Sequence, residues 1–443
     1  MLKKYSNYFL TSFLIFIVAF VIFKNNEINY SLKVLLSSFF ICCFSILKIL
    51  SKKEHVFSLN NMFYIFVLFF IGLAPALQYK KGSYFLGDNS KLTETDFITG
   101  NIIFIVCILI YSFTYQWLIS KKIFKKNKTN INVTTVFSSK IILILSVLTL
   151  ITVFSYFSFD LKQLSQRSFL FKNRANYTSS YLSIINVIRG VPMLLLIFYK
   201  LISKKNLKVE ITLLVIIVLC NFPPGISRYK TAVIYLPLLL VYFRPILKKQ
   251  VFALGFVTLF LSVFPYLNHF RHNSNLVPEK ILDLGMFTEI HFDSYQNSVN
   301  VITNNIITNG NQLLGVALFF IPRSLWGDKA VGSGHVLADV LKHKGHSNVA
   351  VSYFAEGYIN LGYVGVFLFT LFLAIINSFF DYRYWETNSN KAFQTLYLIL
   401  IPFQFFVLRG SLITSVSNLI GYLVCIIILN FLLNLLSRHE TTK

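Results

Sequence analysis

The chain alternates long apolar runs with short polar segments, and this alternation restricts its fold more than any other feature. A helix needs about 20 mostly apolar residues to cross the hydrocarbon layer of a membrane. Only 13% of the 443 residues are charged and 55% are hydrophobic, whereas roughly a quarter of a soluble domain is charged. We therefore predict an all-α polytopic integral membrane protein, a single membrane domain over 1–443 with about twelve transmembrane helices. The predicted spans are 6–23, 32–50, 57–77, 97–119, 139–159, 181–202, 209–224, 230–247, 251–268, 353–380, 393–409 and 412–436.

Basic residues orient these spans. If the N-terminus lies inside, every inner segment carries two or more lysines or arginines, from Lys3 and Lys4 to Arg438 and Lys443. Positive charge resists translocation, so we predict that both ends of the chain are cytoplasmic. The net charge of +24 is then divided among short patches that face anionic lipid, which argues against nucleic-acid binding.

One polar stretch is much longer than the others. With this topology, residues 269–352 form a long extracytoplasmic loop between the ninth and tenth spans. The segment 321–362 crowds arginine, lysine, histidine, aspartate, glutamate and glycine between apolar runs. We predict that chemistry on a lipid-linked substrate takes place here, at the outer face of the membrane.

Arginines on the predicted outer side are candidates for binding a pyrophosphate, because the planar guanidinium group matches phosphate oxygens. Each arginine alone could instead reach lipid headgroups or pair with a carboxylate, but as a group they exceed what anchoring requires. Arg189, which lies beside Gly190 inside an apolar run, is expected to have an interior role because a charge there is costly. The candidates are Arg167, Arg174, Arg189, Arg228, Arg323 and Arg409.

The segment 322–329 combines charge with an aromatic residue typical of the membrane interface. Trp326 suits the headgroup level. Arg323 and Lys329 flank Asp328, and the glycines that follow permit close approach of the backbone to a ligand. The alternative is a solvated loop with an aromatic anchor.

His346 and Glu356 are the candidates for a catalytic base. His335, His343 and His346 lie close in sequence but lack the spacing of a zinc motif, so we predict no metal site. A histidine can activate a sugar hydroxyl, although each of the three could equally be an ordinary loop residue. Glu356 lies near the start of the tenth span, where a carboxylate is costly unless it pairs with an arginine or acts as the base.

The chain resembles bacterial O-antigen polymerases of the Wzy type. The resemblance covers the topology, the run Ile321–Lys329, the segment from Glu356 to Gly365, and the turn Arg409–Ser411. The spacing from Arg323 to Gly334 fits the Arg-x10-Gly pattern of that family. The basic loop with Arg167 and Arg174 does not fit the pattern, and Gly327 and Ala330 stand where the family favours prolines.

The resemblance implies a GT-C-like membrane glycosyltransferase of the bacterial inner membrane, with its active site facing the periplasm. It would transfer a growing glycan from undecaprenyl pyrophosphate to the non-reducing end of a lipid-linked repeat unit. No cofactor is implied. The implied partners are lipid-linked oligosaccharides, membrane lipids and a polysaccharide chain-length regulator. We predict pyrophosphate binding by Arg323, Arg409, Arg174, Arg228, Arg189 and Lys329, with His346 or Glu356 as the base.

Two alternatives remain. A flippase or other transporter would carry its cations along a central cavity, whereas here they lie mainly at the predicted outer rim. An O-antigen ligase would have a similar topology and the same donor but a different acceptor, and the sequence does not separate it from a polymerase.

Overall fold

The structure, a computed structural model, is helical. It describes residues 2–24, 29–51, 55–86, 90–124, 138–166, 179–202, 206–244, 249–272, 284–343, 349–387 and 389–440. The first nine helices are α1 (Leu2–Phe23), α2 (Leu32–Ile49), α3 (Leu59–Phe66), α4 (Ala74–Lys81), α5 (Glu94–Ser120), α6 (Ser139–Tyr156), α7 (Leu161–Ser165), α8 (Ser179–Ile188) and α9 (Val191–Ile202). The others are α10 (Leu207–Cys220), α11 (Arg228–Phe243), α12 (Lys249–His272), α13 (Ser294–Thr303), α14 (Asn311–Ala317), α15 (Ser333–Val340), α16 (Tyr353–Glu386), α17 (Lys391–Arg409) and α18 (Leu412–Glu440). Short 3-10 helices cover Pro223–Gly225, Leu284–Thr288 and Ile290–Phe292.

Nine helical stretches among the described residues are long and apolar enough to cross a membrane, judged by length and composition. This confirms the prediction of an all-α polytopic membrane protein. The remaining predicted spans correspond to α1 and α12, whose apolar parts Phe9–Phe23 and Val251–Val263 are shorter, and to α11, which has 16 residues. The nine stretches are Leu32–Ile49, Leu59–Lys81, Glu94–Ser120, Ser139–Tyr156, Tyr181–Leu201, Leu207–Gly225, Tyr353–Glu386, Lys391–Arg409 and Leu412–Leu436.

Two of the long helical stretches are interrupted. Between α3 and α4 the helix widens into a π-helix over Val67–Leu73. In α16 the backbone leaves helical geometry at Leu361 and Gly362, where Gly362 has a φ of +59° that side chains rarely adopt. The first part of α16, residues 353–360, can therefore take a direction different from the rest of the helix.

The predicted outer loop contains helices, and one of them is buried. Helix α13 packs against α5, α16 and the π-helix, although its buried side chains include Gln296, Asn297 and Asn300. These amides need partners inside the protein. Gln296, for example, donates through Nε2 to Oε1 of Gln78 at 3.0 Å. Polar contacts thus fix α13 within the helical body.

A buried carboxylate on α16 fixes the start of α3. Asp381 accepts hydrogen bonds from the backbone N–H groups of Leu59 (2.9 Å) and Asn60 (3.2 Å). It also accepts hydrogen bonds from the hydroxyls of Tyr115 (2.8 Å) and Tyr397 (2.6 Å). Because the first N–H groups of a helix lack partners within that helix, these bonds cap α3 from a neighbouring helix.

Candidate functional site

Four segments meet where α17 ends and α18 begins. We call this region the Arg409 junction and define it as residues 291–297, 330–335, 349–356 and 409–412. Two close approaches bring the segments together. A Cβ added at Gly332 would lie 3.0 Å from Oγ of Ser411, and one added at Gly334 would lie 1.9 Å from the carbonyl oxygen of Val349. The glycines therefore allow the start of α15 to contact both neighbouring segments.

Arg409 is the last residue of α17 and binds the segment that precedes α13. Its Nε donates to the carbonyl oxygen of His291 at 2.9 Å, and its Nη2 donates to Oδ1 of Asp293 at 3.2 Å. The Asp293 side chain is only 4% exposed, whereas that of Arg409 is 35% exposed. The buried carboxylate thus orients the guanidinium, and part of the Arg409 side chain remains exposed.

Asp293 accepts further hydrogen bonds besides its ion pair with Arg409. Its Oδ2 accepts hydrogen bonds from Nδ2 of Asn297 at 3.0 Å and from the backbone N–H of Ala350 at 3.4 Å. Burial raises the pKa of Asp293, while Arg409 and these hydrogen bonds lower it and offset only part of the effect. Desolvation of this carboxylate therefore exceeds its stabilisation by Arg409.

Glu356 connects three helix starts. It lies in the first turn of α16 and is 1% exposed. Its Oε1 accepts a hydrogen bond from the backbone N–H of Leu412 at 2.9 Å, at the start of α18. Its Oε2 accepts one from the hydroxyl of Ser333 at 2.5 Å, at the start of α15. Both carboxylate oxygens are therefore engaged in joining α15, α16 and α18.

Arg323 and Lys329 border the junction and bind the backbone of their own loop. Arg323 donates to the carbonyl oxygens of Lys329 (2.8 Å) and Ala330 (3.3 Å). Lys329 Nζ donates to those of Phe319 (2.5 Å) and Ile321 (2.7 Å). Burial and the nearby Arg323 charge lower the pKa of Lys329. The two cations thus hold the loop 319–330 in shape, while the Arg323 side chain remains exposed.

Arg189 lies in a different environment from Arg409. It occupies the break between α8 and α9 and is 3% exposed. Its Nε donates to the carbonyl oxygen of Cys220 at 2.6 Å, and its guanidinium carbon lies 5.5 Å from the centroid of the Phe157 ring. These contacts join Arg189 to the ends of α6 and α10.

The other predicted site residues lie outside the Arg409 junction or outside the described residues. Arg228 is the first residue of α11, at the end of that helix nearest the Pro223–Gly225 turn. Arg167, Arg174 and His346 lie outside the described residues. Within the described part of the chain, no group of three or more histidine, cysteine, aspartate or glutamate side chains could hold a metal ion.

Sequence reasoning missed Asp293 and Ser333. The sequence shows Asp293 directly before a polar stretch with an asparagine four residues later, a pattern equally typical of an exposed helix start. Only the packing of α13 shows that the carboxylate is buried. Ser333 carried no signal beyond its place next to Gly332 and Gly334.

The comparisons with known proteins bear on this part of the chain. The family model described as O-antigen polysaccharide polymerase Wzy matches residues 337–439. No curated protein and no solved structure matches the chain. The matched region contributes Glu356 and Arg409 to the junction, and its match confirms the resemblance of this chain to the Wzy-type O-antigen polymerase family.

Proposed function

We propose that the protein is an O-antigen or surface-polysaccharide polymerase that uses an undecaprenyl-pyrophosphate-linked donor. It transfers the growing glycan to the non-reducing end of a lipid-linked repeat unit, at the periplasmic face of the bacterial inner membrane. The observation that carries this proposal is the meeting of Arg409 and Glu356, both within the family match, at one junction. The proposal includes twelve spans with both termini inside, a GT-C-like architecture and residues 269–352 as the outer loop.

Arg409 is the proposed ligand of the pyrophosphate. In the transfer, the acceptor hydroxyl oxygen bonds to the anomeric carbon as the bond from that carbon to the pyrophosphate oxygen breaks. Negative charge then develops on the leaving pyrophosphate, and a fixed guanidinium stabilises it without having to reorganise. The bond from Arg409 to buried Asp293 supports this role, because it fixes the orientation of the cation in advance.

The proton of the acceptor hydroxyl needs a base, and His346 and Glu356 stay the two candidates. The burial of Glu356 and its bonds to Ser333 and Leu412 support a positioning role for this residue. In that case His346 is the proposed base, since a histidine can take up a proton near neutral pH.

The other predicted cations have different proposed roles. Arg323 and Lys329 border the junction and supply positive charge close to it. Arg174 and Arg228 stay proposed ligands from the sequence prediction. The buried contacts of Arg189 support a structural role. A chain-length regulator stays an expected partner.

The first experiment is deletion of the gene in its native host, followed by gel analysis of the surface polysaccharide. We expect the ladder of long chains to disappear while a band with one repeat unit remains, because flipping and ligation still work. Loss of every repeat, including the single one, would instead indicate a flippase or a ligase. An unchanged ladder would overturn the proposal.

A second experiment tests the named residues in a complemented deletion strain. Arg409→Ala and Arg323→Ala should abolish long chains while the proteins are still inserted in the membrane, as measured by immunoblotting of membrane fractions. Wild-type chain lengths in both variants would remove these arginines from the proposed mechanism.

A further inference from the structure

An apolar groove lies between α11 and α12. The volume of this open groove is about 300 Å³, at the lower end of the volumes of small-molecule sites. A Cβ added at Gly255 meets no described atom within 4 Å, so the groove is open at this position. Among the residues that the structure describes, the lining consists of apolar side chains and this glycine. The lining residues are Leu236, Leu239, Leu240, Phe243, Val251, Phe252, Gly255, Phe256 and Leu259.

Aromatic contacts connect the groove to the Arg409 junction. The ring of Phe256, which lines the groove, lies 5.5 Å from the ring of Phe405. Phe405 and Arg409 are four residues apart on α17, so their side chains share one face of that helix. One aromatic ring therefore separates the groove from the residue that carries the proposed pyrophosphate site.

A second set of contacts follows the same direction. The rings of Phe256 and Phe260 stack along α12 with centroids 6.5 Å apart. The ring of Phe260 lies 6.2 Å from that of Phe292. Phe292 stands between His291 and Asp293, the two residues that bind Arg409. Both sets of contacts form an apolar connection between the groove and the guanidinium. Phe256, Phe260 and Phe405 are partly exposed along it, whereas Phe292 is buried.

We propose that this groove binds the polyprenyl chain of the lipid-linked glycan whose pyrophosphate is held by Arg409. The inference rests on the proposed function and adds the site of the lipid part of the substrate. From Phe260 to Phe252 a helix rises by about 12 Å, a distance that a long prenyl chain spans easily. The pyrophosphate would lie at the end of α17 and the chain would follow α12 into the groove.

Membrane lipids compete for any apolar groove, and the connection to Arg409 favours the prenyl chain. Once the pyrophosphate is bound, the attached chain is held beside the groove at a high effective concentration. A bulk acyl chain has no such attachment and pays the full cost of being immobilised. The attachment therefore favours the chain that belongs to the bound headgroup over any single unattached acyl chain.

The test fills the groove and varies the length of the donor's prenyl chain. Gly255→Trp places a large side chain in the open space, and Leu254→Trp is the matched control because Leu254 is 36% exposed and outside the lining set. Purified proteins are given donors that carry the same glycan on an undecaprenyl or on a two-isoprene chain. For Gly255→Trp we expect KM for the long-chain donor to rise severalfold, because the displaced chain enters lipid and loses only its packing contacts with the groove.

The short-chain donor and the control variant decide the interpretation. KM for the short-chain donor should be the same in Gly255→Trp as in the wild type, because this donor ends near Phe405. Leu254→Trp should behave like the wild type with both donors. An equal loss with both donors, or equal effects of the two variants, would overturn the proposal.

A binding measurement keeps this inference separate from the polymerase activity. Undecaprenyl pyrophosphate with a photoreactive group at its far end, reconstituted in phosphatidylglycerol vesicles, should label α11 or α12, and Gly255→Trp should reduce the labelling severalfold. A phosphatidylglycerol probe with the same group should label them weakly. If both probes label equally, the groove holds bulk lipid and the inference is wrong. If the wild type is labelled but transfers no glycan, the proposed function fails and the groove still binds the prenyl chain.

Discussion

Asp293 accepts a hydrogen bond at 3.2 Å from the guanidinium of Arg409, although 116 positions separate the two residues. This contact joins the start of α13 to the end of α17. Glu356 likewise accepts a hydrogen bond from the backbone N–H of Leu412, which lies 56 positions away in the sequence. Two carboxylates from different parts of the chain therefore fix the same turn. The shape of this turn determines where the positive charge of Arg409 lies.

The raised pKa of Asp293 predicts a pH dependence of stability. Because burial raises the pKa above that of the unfolded chain, the folded state holds this proton more tightly, and the contribution of the group to stability is lost as pH rises through the folded pKa. Asp293→Asn removes the titration and keeps an oxygen that can accept from Arg409. We expect the melting temperature of the wild type to fall, relative to that of Asp293→Asn, as pH rises from about 4 to neutral.

Thermal unfolding in detergent at several pH values measures this difference. Lys121→Gln, a change on an exposed residue outside the junction, controls for general effects of charge. A wild type that gains stability relative to Asp293→Asn as pH rises would mean that the ion pair with Arg409 outweighs the burial of the carboxylate.

The helices of this protein could be predicted from the sequence, because lipid demands long apolar runs and charge limits their orientation. Each of the twelve predicted runs overlaps a helix, and nine stretches within the described ranges meet the length and hydropathy of a span. The burial of α13 could not be predicted in this way. Its serines, asparagines and glutamine read as a solvated loop, and their partners, such as Gln78, lie in distant parts of the sequence.

Part of the candidate site could also be predicted from the sequence, because charge in an apolar environment has an energetic cost. Arg409 and Glu356 could be identified as candidates because a charge near the end of an apolar run is costly unless it has a partner or a function. The same argument applies to Asp381, near the other end of α16, but its four donors cap α3 and hold two tyrosines. The energetic cost of burying a carboxylate does not show whether its role is functional or structural. The groups that the carboxylate contacts show this.

Two substitutions of Glu356 separate positioning from proton transfer. In Glu356→Gln the amide oxygen can still accept from the Leu412 N–H, and the amide N–H can donate to the Ser333 hydroxyl. In Glu356→Ala both groups lose a partner, at a cost of about 1–3 kcal/mol for each buried unsatisfied group. A positioning role predicts that Glu356→Gln keeps long chains and that Glu356→Ala loses both the ladder and thermal stability.

The pH profile of polymerisation by Glu356→Gln completes this test. If Glu356 only positions its neighbours, the glutamine variant keeps the wild-type pH profile. If Glu356 is the base, the variant has almost no activity at any pH, even when its melting temperature equals that of the wild type. Ser333→Ala should reproduce part of the loss of stability, since it removes one of the two donors.

Gly334 and Gly327 form a matched pair for testing the close approach at α15. A Cβ at Gly334 would lie 1.9 Å from the carbonyl oxygen of Val349, so Gly334→Ala must displace the backbone. A Cβ at Gly327 meets no described atom within 4 Å. We expect Gly334→Ala to lower the melting temperature by several degrees and shorten the ladder, and Gly327→Ala to match the wild type. Equal behaviour of the two variants would contradict the contact between α15 and Val349.

Arg189→Met tests whether the buried guanidinium is structural. Methionine keeps an unbranched side chain in the break between α8 and α9 but loses the donor to the carbonyl oxygen of Cys220 and the contact with the Phe157 ring. Cys220 ends α10, where carbonyl groups lack partners within the helix. We therefore expect a loss of about 1–3 kcal/mol in stability, seen as a lower melting temperature, with KM for the donor unchanged in protein assayed below that temperature. Arg409→Lys is the comparison, because lysine replaces the planar fork by a point charge and should raise KM for the donor. A rise in KM for Arg189→Met as large as that for Arg409→Lys would show that Arg189 takes part in binding the pyrophosphate.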